Sequence, residues 1–177
     1  MERTSDLAGR RRLLKVGLFG GLGLALVGGG YAWRQRGDSG APAVFDPKAR
    51  TLIAALAPVI LDGALPAAAA ARATAVNGLL ADVGAAVAGL SPPQQAELGE
   101  LFALLNFSLT RFVVAGVRSN WNEARPDEVE AFLRRWRYSR LDLLQSAYAA
   151  LHDLILGAWY ARPESWTAIG YAGPPAS

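Results

Sequence analysis

The residues able to do chemistry are few. The chain has one histidine, His152, followed by Asp153, and it has no cysteine. Neighbours on a helix point in different directions, so His152 and Asp153 are not expected to form a catalytic dyad. No Gly-x-Ser-x-Gly elbow and no cysteine nucleophile stand elsewhere to complete a hydrolytic set. A single imidazole rules out a histidine-rich metal site, and the lack of thiols rules out thiolate-held metals, iron–sulfur clusters and Cys-x-x-Cys-His haem attachment. No Gly-x-Gly-x-x-Gly follows a strand and no phosphate loop is present, which argues against nucleotide binding by this chain alone. His152 is therefore expected to be a structural or surface residue, and no catalytic, cofactor-binding or metal-binding residue is assigned.

Two groups point instead to contacts with another molecule. Arg134, Arg135, Arg137 and Arg140 form a local basic cluster. It reads either as a solvated helix face, with Glu128 and Glu130 paired to Arg134 and Arg135, or as an electrostatic docking patch for an acidic surface. Trp159, Tyr160, Trp166 and Tyr171 lie within 13 residues near the end of the chain. Aromatic residues and arginine are over-represented at binding hot spots, but a small helical core also needs such area to close. Trp136, Arg140, Trp159, Tyr160, Trp166 and Tyr171 are the candidate interface residues, with core closure the alternative for each aromatic.

The elements that position these residues are helical. Asp46-Pro47 is a helix start, followed by Leu52, Ile53, Leu56, Val59 and Ile60 on one face, with Pro58 expected to kink or shorten the run. After a break at Asp62 to Pro66, an alanine-rich second helix runs from about residue 67 to 88. Its stripe is Leu79, Leu80, Val83 and Val87, and Gly89 is placed to end it. Ser91-Pro92-Pro93-Gln94 opens a third helix, with Leu98, Leu101, Phe102 and Leu105 inward. Leu109, Phe112 and Val113 extend its pattern, so its end is expected to be central in the core. Trp121 sits in the connection from Gly116 to Pro126. A fourth helix starts near Pro126, with Asp127 and Glu128 near its positive end and Val129, Phe132, Leu133 and Trp136 as its stripe. A fifth, from about residue 139 to 161, is separate or continuous with the fourth, and Pro163 stops it. No alternating strand is found. The expected fold is all-α, a small bundle of about five helices in residues 44–177.

Residues 1–43 read differently. Arg10-Arg11-Arg12-Leu13-Leu14-Lys15 precedes an apolar, glycine-laden run from Val16 to Trp33. Arg10, Arg11, Leu13, Leu14 and Lys15 match the twin-arginine (Tat) export signal, which serves cargo folded in the cytoplasm. Arg34 and Arg36 after the apolar run are tolerated by that route and oppose general secretion. Ala41-Pro42-Ala43 offers small residues for cleavage after Ala43. The alternative is an uncleaved anchor, since residues 16–33 are enough to span a bilayer. The formal charge of +3 is a property of this leader: residues 1–43 hold seven Arg/Lys against three acids, so the rest sums to −1. Charge gives no case for nucleic acid.

Ala158-Trp159-Tyr160-Ala161-Arg162-Pro163-Glu164-Ser165-Trp166-Thr167-Ala168-Ile169-Gly170-Tyr171-Ala172-Gly173-Pro174-Pro175 resembles the C-terminal signature of Tat-leader periplasmic proteins similar to subunit 3, the small or gamma subunit, of gluconate 2-dehydrogenase. Phe132-Leu133-Arg134-Arg135-Trp136-Arg137-Tyr138-Ser139-Arg140, leading into Tyr148-Ala149-Ala150-Leu151-His152, fits the same group. Thr51 to Leu61 resembles its first mature helix, although the chain continues Ile60-Leu61-Asp62-Gly63 where the family often has Ile-Pro and an acid. The resemblance implies a non-catalytic small subunit. Its large partner would be a flavoprotein of the glucose-methanol-choline type that holds FAD and oxidises an alcohol or sugar. The small subunit would lend its leader, the folded pair would cross the Tat translocase together, and a cytochrome c subunit would take the electrons in the periplasm. The rival expectation is a membrane-anchored helical structural or assembly protein with no enzyme partner.

Overall fold

The computed structural model describes residues 44–166 and Gly170. Every regular element among them is helical: α1 (Pro47–Ile60), α2 (Ala69–Ala88), α3 (Pro92–Asn106), the one-turn α4 (Ser108–Thr110) running into a π-turn (Arg111–Ala115), α5 (Pro126–Arg137), α6 (Asp142–Tyr160) and the short α7 (Pro163–Trp166). The five long helices are the five expected from the sequence. The twin-arginine residues Arg10, Arg11, Leu13, Leu14 and Lys15, the apolar run 16–33, the cleavage residues Ala41 and Ala43, and Tyr171 lie outside the described residues.

Helix α1 is the centre of the bundle; α2, α3, α5 and α6 all pack on it. Its start is fixed by Asp46, whose carboxylate accepts the Ala49 N–H at 2.7 Å. Pro58 lacks an N–H to continue the ladder, and the helix ends two residues later. Leu52, Ile53, Leu56 and Ala57 are wholly buried, as a helix covered on several sides requires. Helix α2 buries Leu79, Leu80, Val83 and Val87, the predicted stripe, and Gly89 stands at its C-cap. Helix α3 opens with Gln94 Oε1 accepting from both the backbone N–H and the hydroxyl of Ser91, at 3.1 and 2.8 Å. That holds the first turn closed.

Helices α5 and α6 are separate, parted at Tyr138 to Leu141. Helix α5 has a strongly one-sided sequence, and Val129, Phe132, Leu133 and Trp136 all point inward. An aromatic ladder joins it to the preceding loop: Trp121 and Phe132 have ring centroids 5.8 Å apart, and Phe132 meets Trp136 edge-on at 4.7 Å. Trp121 is buried, as its place in a polar loop demanded, and its indole donates to the Leu105 carbonyl at 2.9 Å. Pro163 does not itself end α6, which stops at Tyr160; it opens α7 instead.

The expectation for the end of the third helix fails. The third helix does not carry its apolar pattern into the core. It breaks at Phe107, whose backbone is extended, and the chain turns by 75° into α4 and the π-turn. Leu109, Phe112 and Val113 end up 61%, 51% and 58% exposed. The physical reason is the change of phase. After the break it is Arg111, Ala115 and Val117 that face inward, and the large apolar side chains between them face out. No single helix among the described residues is long and apolar enough to cross a membrane, although α3 and the segment 108–115 would pass that test together if they were straight.

Candidate functional site

His152 and Asp153 do meet, contrary to the expectation of divergence. Nδ1 of His152 lies 3.1 Å from Oδ1 of Asp153. Rotation of two flexible side chains closes the angle that the helix opens. The Asp153 side chain is 78% exposed, so this is a solvated pair and not the buried, oriented pair that an acid–base relay uses. His152 stacks one turn along α6 against Tyr148, with ring centroids 5.3 Å apart. Both edge a cleft of about 300 Å³ between the end of α1 and the facing sides of α5 and α6. Its other walls are Val59, Ile60, Glu130, Leu133, Arg134, Arg137 and Tyr138. No serine, threonine or cysteine side chain lines it. Among the described residues no three His, Asp or Glu side chains gather as a metal site would need.

The basic cluster separates into different tasks. Arg134 pairs with Glu130 one turn back at 3.1 Å on the solvated face of α5. Such an exposed pair contributes about 0.3–0.5 kcal/mol. The expected partnership of Glu128 with an arginine is corrected: Glu128 accepts the Ser119 hydroxyl at 3.1 Å, tying the preceding loop to the start of α5. Arg135 reaches 20 residues back to the Ala115 carbonyl at 3.1 Å. Arg137 lies over the ring of Tyr138, 5.5 Å from its centroid. Arg140 is exposed and pairs with no acid among the described residues. Arg137 and Arg140 are therefore the two of the cluster that carry neither an ion pair nor a carbonyl bond among the described residues.

The aromatic candidates also divide. Trp136 is fully enclosed and donates its indole N–H to the Val114 carbonyl at 3.2 Å. Trp159 is 7% exposed. Both belong to the core of the described domain, the alternative given for each aromatic. Tyr160 is 37% exposed, and Trp166 is half-buried with its indole donating to the Tyr160 carbonyl at 2.8 Å. Arg162, between them, latches the end of α6 onto α2. Its guanidinium lies 5.8 Å from the Trp159 ring, donates to the Ala75 carbonyl at 3.1 Å and pairs with Asp82 at 3.4 Å. Gly78 makes the approach possible, because a Cβ there would sit 2.7 Å from two guanidinium nitrogens. Of the predicted interface set, Arg140, Tyr160 and the accessible edge of Trp166 are what the described surface offers.

The sequence reading missed a larger apolar surface. Phe107, Leu109, Phe112 and Val113 are all more than half exposed and fall within seven residues. A second, smaller group, Tyr138, Leu141 and Leu143, stands at the α5–α6 turn beside Arg137 and Arg140. One signal did exist for the first. Asn106 and Thr110 interrupt the apolar run with side chains that favour backbone bonding over helix continuation. Asn106 bonds the Phe102 carbonyl at 2.9 Å, and the Thr110 hydroxyl bonds the carbonyls of Leu104 and Phe107. No family model, curated protein or solved structure gives a match to this chain.

Proposed function

We propose that this chain is a non-catalytic accessory subunit that escorts an FAD-dependent dehydrogenase through the Tat pathway and stabilises it in the periplasm. The partner is a flavoprotein of the glucose-methanol-choline type, acting on an alcohol or sugar. It holds the FAD, and the small subunit brings no cofactor of its own. A cytochrome c subunit accepts the electrons. The basis for naming this partner is the resemblance of most of residues 45–175, specific in the last 50, to subunit 3 of gluconate 2-dehydrogenase, together with the twin-arginine pattern at Arg10 to Lys15.

The observation that supports a binding role over a catalytic one is the surface. Eight large apolar side chains are exposed among the described residues, and four of them cluster within residues 107–113. Scattered exposed apolar residues are ordinary, but a contiguous group marks a contact surface. Meanwhile the one histidine sits in a solvated pair at the edge of the cleft between α1, α5 and α6. The twin-arginine pattern adds a reason for the partner to assemble first, because the Tat route carries folded cargo.

The test is affinity purification of the full chain, tagged after Ser177, from separated periplasmic and membrane fractions. The expected result is a co-purifying yellow polypeptide with flavin absorbance and dehydrogenase activity. A colourless protein recovered alone from the membrane fraction would contradict the reading and favour an anchored structural or assembly protein.

A further inference from the structure

The exposed turn at residues 107–113 is unusual because it is apolar outside and tied down inside. Phe107, Leu109, Phe112 and Val113 are 51–61% exposed. The backbone that carries them is fixed from both ends by donors from other elements, two of them buried tryptophans. Trp121 holds the Leu105 carbonyl at 2.9 Å, Trp136 holds the Val114 carbonyl at 3.2 Å, and Arg135 holds the Ala115 carbonyl at 3.1 Å. Gly116 closes the π-turn in the left-handed region, with φ of +68°. Two tryptophans and an arginine thus set the shape of four exposed apolar side chains. π-turns inside helical segments often mark functional positions.

The charge of this turn is one-sided. Arg118 lies over the exposed Phe112 ring, 5.9 Å from its centroid, and pairs with no acid among the described residues. Arg111 is 8% exposed, donates one Nη to Asn120 Oδ1 at 3.1 Å, and leaves its buried Nε without an acceptor. It too pairs with no acid among the described residues. A buried guanidinium without a counter-charge is costly, and its field is felt at the surface above it.

We infer that this turn is a docking surface for a protein partner that presents an apolar pocket beside a carboxylate, with Phe112 and Leu109 entering the pocket and Arg118 meeting the acid. The inference rests on the escort reading for the identity of that partner, the flavoprotein. A second copy of this chain fits poorly. A two-fold contact would set the patch against a copy of itself, and residues 107–118 hold Arg111 and Arg118 but no Asp or Glu to meet them. A bilayer fits less well than a protein. Lipid adapts to any apolar shape, whereas a fixed backbone lowers the ordering cost only against a partner of complementary shape.

The experiment places photoreactive benzoylphenylalanine at Phe112, or in separate chains at Tyr138 or Tyr160, in the full-length protein made in its own cells. Crosslinked peptides are then identified by mass spectrometry. The expected result is that the Phe112 position captures a flavoprotein peptide containing Asp or Glu. Arg118→Glu should lower that yield about tenfold, and changing the captured carboxylate to Lys should restore it. Arg118 is exposed, so circular dichroism of the variant should be unchanged. Capture of phospholipid, of a second copy of this chain, or an unaffected yield with Arg118→Glu would overturn the inference. A flavoprotein that co-purifies but crosslinks only from Tyr138 or Tyr160 removes this docking surface and leaves the escort reading. A flavin-free partner captured at Phe112 with the same charge-swap behaviour keeps the surface and removes the escort reading.

Discussion

Gly116 shows how a single residue fixes the turn that carries the exposed apolar side chains. Its φ of +68° is in the left-handed region, which costs a side-chain-bearing residue about 1–2 kcal/mol. A Cβ at this position would also overlap the Arg135 guanidinium, which holds the Ala115 carbonyl. Gly116→Ala is therefore expected to destabilise the domain by about 1–2 kcal/mol, with the loss visible as a lower urea midpoint at unchanged slope. An unchanged midpoint would show that the π-turn is not held in the way described. Trp121 and Trp136 hold the carbonyls that flank the same segment. Each buries an indole and satisfies one of its carbonyls, so each is both core area and a backbone partner.

Helix starts and inward stripes are the elements that sequence predicts best, and the reason is local. Asp46, Ser91 and Pro126 open helices through contacts made within three or four residues. Asp46→Ala should cost about 1 kcal/mol by freeing the Ala49 N–H, and Asp46→Asn should recover most of it, as read from thermal melts of the full chain. If Ala and Asn melt alike, the cap does not support α1. The stripes of α2 and α5 were equally legible, because helical spacing alone selects Leu79, Val83, Phe132 and Trp136. The end of α3 was not. Its apolar residues keep helical spacing through Phe112, but Phe107 leaves the helix and the long-range bonds from Trp121 and Trp136 hold the new path. Those bonds span 16 and 22 residues, beyond the reach of any window of periodicity. The same limit applies to the aromatic candidates. Type alone could not tell the enclosed Trp136 from the accessible Tyr160, because the difference is made by which helix covers each.

At the scale of the whole molecule, charge and apolar area are arranged in different places. The excess of positive charge lies in residues 1–43, and the remainder carries a net of −1. The described domain buries a core around α1 and leaves its largest cluster of apolar side chains on the 107–113 turn. Its one histidine pairs with an exposed aspartate at the edge of the cleft between α1, α5 and α6. The escort proposal reads the twin-arginine pattern of residues 10–15 as an address and the apolar turn of the described domain as the surface that a partner covers. The escort proposal joins these two parts into one causal chain, in which the leader of this chain moves another protein. The most direct measurement replaces Arg10 and Arg11 by Lys in the full chain and follows the flavin-dependent dehydrogenase activity of the partner in periplasmic and cytoplasmic fractions. The proposal predicts that both proteins remain in the cytoplasm. Partner activity that still reaches the periplasm at its normal level would contradict it.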